Sequence, residues 1–115
     1  MVNGLLATQL AVAGELLDIL RRFDVDLAAA AELITSLPVT APALARSLPR
    51  ILAGDTAPAY PLDLAAKDLR YLRAAAGRTH VLTAVGDTLD RAARNDGTRD
   101  IVALAMPAAT TKTGP

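Results

Sequence analysis

The chain has no cysteine, and its twelve basic and twelve acidic residues cancel to no net charge. Without cysteine it can build neither a disulfide framework nor a thiolate metal site. Without net charge it lacks the broad positive field that concentrates nucleic acid or an anionic membrane surface. We therefore expect no metal site, no nucleic-acid partner and no membrane partner. The default localisation for such a chain is cytoplasmic.

Aromatic residues are also scarce, at 3% of the chain, although hydrophobic residues make up 52%. The core must therefore consist of Leu, Ala, Val and Ile, and an excess of alanine and leucine favours helix over strand. A chain of 115 residues forms one domain and buries roughly two-thirds of the surface that its unfolded form exposes. Composition thus predicts a single all-α domain.

Apolar residues at helical spacing predict one long first helix from Gly4 to about Phe23. A second helix is predicted over 28–37, capped by the Asp26 carboxylate and ended by Pro38. A third begins near Thr40 and Pro42 and closes near Gly54. Pro49 falls inside it, which predicts a kink or a split.

Residues 55–61 contain turn formers without a period and predict a loop. A fourth helix follows over 62–76, and a fifth, capped by Thr79, ends near Asn95. Asp100 is expected to cap a final short turn that runs through Met106. The result is a domain of five or six helices over 1–107, followed by a flexible tail over 108–115.

One segment, Tyr60 to Leu69 (YPLDLAAKDL), resembles the Phe-Pro-Leu-x-Leu-x-x-Lys-Asp-Leu segment of the β-hydroxyacid dehydrogenases. Those enzymes are the 3-hydroxyisobutyrate dehydrogenase relatives of 6-phosphogluconate dehydrogenase. Other family motifs have counterparts in the same order, at Asn3, at 14–16, at 24–26 and at 97–100. The ordered set resembles the helical C-terminal domain of this family, with its long first helix.

The resemblance implies that Lys67 approaches an NAD or NADP cofactor and that Asn3 and Tyr60 line the substrate cleft. The family's catalytic lysine would precede Met1, so no catalytic residue is expected in this sequence. Gly4 also replaces the second asparagine of the family pattern. The chain has no Gly-x-Gly-x-x-Gly motif for a dinucleotide. We therefore expect it to bind NAD or NADP only with a separate Rossmann domain and to be inactive alone.

Each candidate residue also has a structural interpretation. Lys67 could form an exposed pair with Asp63, and Tyr60 could simply pack in the core. Asp68 is expected to orient its neighbours rather than to act as an acid. His80, the only histidine, is expected at the surface or in a cap. On the fifth helix, two i,i+4 pairs are expected, namely Asp87 with Arg91 and Asp90 with Arg94.

Two functional hypotheses follow from these observations. The chain is either the substrate-binding and dimerisation domain of an NAD(P)-dependent β-hydroxyacid dehydrogenase or imine-reductase-like oxidoreductase, or a free-standing helical interaction module without catalysis. In both cases we expect a homodimer formed through the first helix, because the domain itself is expected to leave Leu5, Leu6, Leu10 and Leu17 exposed. The mid-helix glycines Gly14 and Gly86 indicate close approach of another element, within the chain or across that dimer.

Overall fold

The computed structural model describes residues 2–77 and 79–107, and within them it contains five α-helices and one 3-10 helix. These are α1 Val2–Arg22, α2 Leu27–Ser36, α3 Pro42–Ala53, α4 Leu62–Ala76, α5 His80–Asp96 and the 3-10 helix Ile101–Ala105. An isolated bridge between Pro61 and Asp100 is the only β pairing in that part of the chain. The predicted all-α fold with a long first helix is confirmed. The predicted flexible tail lies outside the described residues.

Local signals place most of the helix ends correctly. The Asp26 carboxylate accepts a hydrogen bond from the Ala28 N–H at 3.0 Å and caps α2. Gly54 ends α3 in the left-handed region, at φ 70°, which favours glycine. The predicted start of α3 near Thr40 and Pro42 is confirmed, with Ala41 at the N-cap position and Pro42 as the first helical residue. Thr79 does precede α5, but its side chain makes no capping hydrogen bond.

Pro49 does not split the third helix, which runs without a break from Pro42 to Ala53. Of the two predicted alternatives, a kink or a split, the split is therefore wrong. Proline lacks the N–H that would bond the carbonyl four residues earlier, and its ring crowds that carbonyl. Pro49 is exposed, whereas Leu48 and Ile51 beside it are buried in the core. Burial of these two side chains holds the helix together across the missing hydrogen bond.

α1 is the central element of the fold and contacts every other element. Leu10 and Leu17 are fully buried in its inward face, and Leu6 packs partly against the core. The expectation that these three leucines would be uncovered is wrong, and of the four named only Leu5 is strongly exposed, at 68%. By length and composition α1 could cross a membrane. The absence of a membrane partner stays a prediction.

The two mid-helix glycines are explained by close contacts inside the chain. A Cβ on Gly14 would lie 2.8 Å from the Ala105 Cα, so the 3-10 helix rests on this glycine. Of the two alternatives for Gly14, the close approach within the chain is therefore the one that the structure shows. A Cβ on Gly86 would overlap the Arg73 guanidinium, which crosses from α4. Both glycines let two elements of the same domain approach each other.

Ion pairs link α4 to α5 instead of following α5 alone. Arg70 Nη1 lies 3.2 Å from Asp90 Oδ1, and Arg73 Nη2 lies 3.6 Å from Asp87 Oδ1. The predicted pairs of these aspartates with arginines four residues later on α5 are not formed. The two helices pack side by side, and a facing arginine offers a partner that the i,i+4 rule cannot anticipate.

Candidate functional site

The loop before α4 delivers Tyr60 to the surface of that helix. The loop is fastened to the segment before the 3-10 helix, because the Asp100 N–H donates to the Thr56 carbonyl at 3.0 Å and the Ile101 N–H donates to the Tyr60 carbonyl at 2.8 Å. Pro61 then holds the N-cap position of α4, and its fixed φ suits a helix start. The loop and the first turn of α4 thus form one connected unit.

Two side chains from different parts of the chain meet at Asp68. The Asn3 amide Nδ2 donates to Asp68 Oδ2 at 2.7 Å, and the Tyr60 hydroxyl donates to the same oxygen at 2.5 Å. Asn3 lies in the first turn of α1, Tyr60 lies at the end of the loop, and Asp68 lies in α4. We call Asn3, Tyr60 and Asp68 the Asp68 cluster. Hydrogen bonds to a carboxylate are short and strong, so the cluster fixes these side chains against one another.

The hydrogen bonds move the pKa values of both acidic groups in the cluster. Donation from the Tyr60 hydroxyl, and then from the Asn3 amide, lowers the pKa of Asp68. Burial raises the pKa of Tyr60, and its hydrogen bond to the negative Asp68 raises it further. At neutral pH the carboxylate is therefore charged and the phenol keeps its proton. The cluster is therefore a negatively charged carboxylate that accepts hydrogen bonds from the Asn3 amide and the Tyr60 hydroxyl.

Lys67 lies beside the cluster on the exposed face of α4. Its Nζ stands 5.8 Å from the ring centroid of Tyr71, one turn further along the helix. This is a cation–π contact of ordinary length. The expected pair of Lys67 with Asp63 is not formed. The Asp63 carboxylate lies against the backbone of Gly97 instead. Lys67 therefore has an aromatic neighbour and no carboxylate partner among the described residues.

A shallow cavity of about 410 Å³ opens beside the cluster, between the start of α1 and α4. It combines the carboxylate and amide of the cluster with apolar walls and an aromatic ring. Its lining residues are Asn3, Gly4, Asp68, Leu69, Tyr71 and Leu72. Such a mixture can hold a small organic molecule and orient it through a few hydrogen bonds. Within residues 2–77 and 79–107 no three His, Asp or Glu side chains are grouped to bind a metal ion.

The structure brings Asn3 and Tyr60 together on Asp68. Lys67 lies on the same helix as Asp68, but neither Lys67 nor Tyr60 lines the cavity beside the cluster. Asp68 orients its neighbours, as the sequence indicated. His80 is exposed at the start of α5. The sequence did not predict a role at the site for Tyr71 or for Asp100. The signal for Tyr71 was its i,i+4 spacing from Lys67. The contact of Asp100 with the loop before α4 had no such signal. No pattern in the sequence links Asp100 to Tyr60, because 40 residues separate them.

Comparison with known proteins identifies the family to which the domain belongs. The family model described as NAD-binding of NADP-dependent 3-hydroxyisobutyrate dehydrogenase matches residues 1–107. The crystal structure of 3-hydroxyisobutyrate dehydrogenase from Salmonella typhimurium matches with a TM-score of 0.78 at 18% identity. The match covers 90% of this chain and 38% of that enzyme, so the chain spans well under half of it. At this identity the likeness establishes the fold. A comparison with curated proteins found no match.

Proposed function

Because the chain belongs to the 3-hydroxyisobutyrate dehydrogenase family through its NAD-binding helical region, we propose that it is the substrate-facing domain of an NAD(P)-dependent β-hydroxyacid dehydrogenase or imine-reductase-like oxidoreductase. A dinucleotide-binding domain, on the same polypeptide or on another, completes the enzyme. The observation that carries the proposal is the meeting of Asn3 and Tyr60 on Asp68. These are the two residues that the family resemblance assigns to the substrate cleft.

In this proposal the Asp68 cluster binds and orients the substrate. The Asn3 amide nitrogen donates to Asp68, and among the described residues its carbonyl oxygen remains available to accept from a substrate hydroxyl. Asp68 holds the amide in one orientation, which limits the loss of entropy when the substrate binds. The leucines and the Tyr71 ring of the cavity would contact the apolar part of the substrate.

Lys67 is the residue that we assign to the cofactor. Its ammonium has no carboxylate partner among the described residues and is held near the surface by the Tyr71 ring, so it can reach an anionic or hydroxyl-rich group on a docking domain. The positively charged Lys67 ammonium, with its three N–H donors, suits a cofactor phosphate or a ribose hydroxyl. The cofactor, when bound, accepts or donates the hydride. The residues of this chain bind and orient, and we propose that they do not catalyse turnover alone.

We also propose that the chain forms a homodimer through α1. The interface in this proposal is a different face of the helix from the one that carries the buried Leu10 and Leu17. Five apolar side chains on this helix, and Phe23 directly after it, are each between 43% and 75% exposed. They follow one another at spacings of three, four and seven residues, which fit a 3.5-residue repeat. We call them the α1 seam, and they are Val2, Leu5, Val12, Leu16, Ile19 and Phe23. Such a stripe is typical of helix pairing. The seam is also what favours the second candidate function, a free-standing interaction module.

The test of the proposed function is an activity assay with the domain joined to a dinucleotide-binding domain from the same family, with the family's catalytic lysine included at the junction. Asn3→Ala should raise KM or lower kcat/KM for a 3-hydroxy acid by about 10-fold or more, equivalent to about 1.4 kcal/mol. Asn95→Ala is the matched control, because Asn95 is an exposed asparagine on α5. Equal kinetics for the two variants, or no turnover in any joined protein that binds NAD or NADP, would contradict the proposal in favour of the interaction module.

A further inference from the structure

Asp100 is the only buried charged residue in 2–77 and 79–107, with 2% of its surface exposed. A buried carboxylate is costly unless it is fully hydrogen-bonded. Asp100 caps the 3-10 helix, where its Oδ2 accepts from the Val102 N–H at 3.0 Å. An exposed cap such as Asp26 makes one such bond. Asp100 makes more, and the additional bonds do not serve the helix that it caps.

The other carboxylate oxygen holds the loop before α4. Asp100 Oδ1 accepts from the backbone N–H groups of Ala59 and Tyr60, at 2.8 Å each. The Arg50 guanidinium approaches from α3, with Nη1 3.5 Å from Asp100 Oδ2, and its Nη2 donates to the Ala57 carbonyl at 2.5 Å. The loop is therefore fixed by one carboxylate and one guanidinium, neither of which lines the cavity of the Asp68 cluster.

These contacts set where the Tyr60 hydroxyl lies. The Tyr60 backbone is bonded on both sides, its N–H by Asp100 and its carbonyl by the Ile101 N–H. With the backbone fixed, the tyrosine side chain has few conformations left, and the one adopted brings its hydroxyl to Asp68. Asp68 in turn holds the Asn3 amide. A chain of hydrogen bonds thus runs from the buried Asp100 to the two residues assigned to the substrate.

We propose that Asp100 is a positioning residue for the binding site: through the backbone of Ala59 and Tyr60 it places the Tyr60 hydroxyl on Asp68 and thereby orients Asn3. Arg50 supports the same loop through its hydrogen bond to the Ala57 carbonyl. The proposal rests on the proposed function only in naming Asn3 and Tyr60 as binding residues. Its structural content, the dependence of the Asp68 cluster on Asp100, can be tested without a substrate or cofactor.

The test is to replace Asp100 by serine and to measure the pKa of Asp68 by NMR titration of its side-chain carboxyl carbon in the isolated chain. Serine is a good helix cap, so Asp100→Ser keeps an acceptor for Val102 while losing the two bonds to the loop. The Tyr60 hydroxyl should then leave Asp68, and the pKa of Asp68 should rise toward its ordinary value of about 3.9. Asp26→Ser, the same change at an exposed cap, should leave that pKa at its wild-type value.

Tyr60→Phe sets the size of the full effect, because it deletes the hydroxyl and keeps the ring. Adding Asp100→Ser to Tyr60→Phe should produce no further rise, since both changes act through one hydrogen bond. A folded Asp100→Ser protein with the wild-type Asp68 pKa would overturn the proposal. If that variant does not fold, Arg50→Gln decides, with a rise expected and an unchanged pKa again overturning it. This readout needs no turnover, so its failure is distinct from failure of the proposed function.

Discussion

Gly14 of α1 lies directly beneath Ala105, so closely that a Cβ on the glycine would stand 2.8 Å from the Ala105 Cα and 3.1 Å from its carbonyl carbon and oxygen. Backbone atoms cannot move aside as a flexible side chain can. The contact joins α1 to the 3-10 helix, all five of whose residues are buried. This one position therefore determines how closely the end of the domain can pack on its central helix.

Gly14→Ala should destabilise the domain, because the clash with Ala105 outweighs the gain of about 1 kcal/mol in helix propensity. We expect a net loss of about 2 kcal/mol in the free energy of unfolding, seen as a Tm lowered by roughly 10 °C. Gly4→Ala is the control, since a Cβ there meets the Leu72 side chain at an ordinary 3.5 Å. A Tm for Gly14→Ala equal to or above that of Gly4→Ala would contradict the close contact.

The isolated chain should show no dehydrogenase turnover with NAD or NADP and a panel of 2-alkyl-3-hydroxy acids. The reason is chemical, because hydride transfer requires a dinucleotide site and the sequence contains no Gly-x-Gly-x-x-Gly motif. The measurement is absorbance of the reduced nicotinamide. A rate on the order of 1 per second, which is ordinary for a complete enzyme, would show that the chain needs no partner domain.

Leu16→Asp together with Val12→Asp should convert a homodimer to a folded monomer. Both side chains belong to the α1 seam and are about half exposed, at 49% and 50%, so charge there opposes pairing and leaves the core intact. Light scattering at about 100 µM gives the mass, and circular dichroism checks folding. Val81→Asp is the control, because Val81 is 66% exposed outside α1. A monomer mass for the unmodified chain would refute the proposed dimer.

Leu10→Asp serves as the opposite control in that series. Leu10 is fully buried, and an unpaired charge in its place should unfold the domain. Charged substitutions on the two faces of α1 should therefore have different effects. Those in the α1 seam should prevent association, and the one at Leu10 should unfold the domain. A folded, monomeric Leu10→Asp protein would show that this leucine faces a partner instead of the core.

The stabilisation that Asp100 gives should disappear in acid. Burial opposes its ionisation, but the backbone N–H groups of Tyr60, Val102 and Ala59, together with the charge of Arg50, outweigh burial and lower the pKa of Asp100 in the folded state. A group with a lowered folded pKa stabilises the protein above its unfolded pKa, about 3.9 for aspartate, and stops doing so as the pH falls through the folded value.

Urea unfolding of the wild type and of Asp100→Ser should therefore differ by about 2–4 kcal/mol at pH 7, the range for breaking buried bonds to a charged group. The difference should stay constant down to about pH 5 and narrow below about pH 4. A difference that widens as the pH falls from 5 to 3 would mean that the Asp100 carboxyl is more stable protonated in the folded state.

Helix positions were readable from the sequence because their causes are local. Asp26 caps the helix that starts at the next residue, and Gly54 ends α3 because only a residue without a Cβ easily adopts the left-handed region. The spacing of Leu10 and Leu17 likewise predicted a helix with an apolar face. Each of these signals depends on residues within a few turns of one another, and that is the range over which propensity and periodicity act.

Tertiary structure decided which apolar face of α1 is covered and which residues form the site. α1 carries apolar residues both on the side of Leu10 and Leu17 and along the α1 seam, so periodicity alone could not say which stripe the other elements would bury. Asn3 and Asp68 meet across 65 positions of sequence. Such a contact has no local signature, because it exists only once α1, α4 and the loop fastened by Asp100 have packed together.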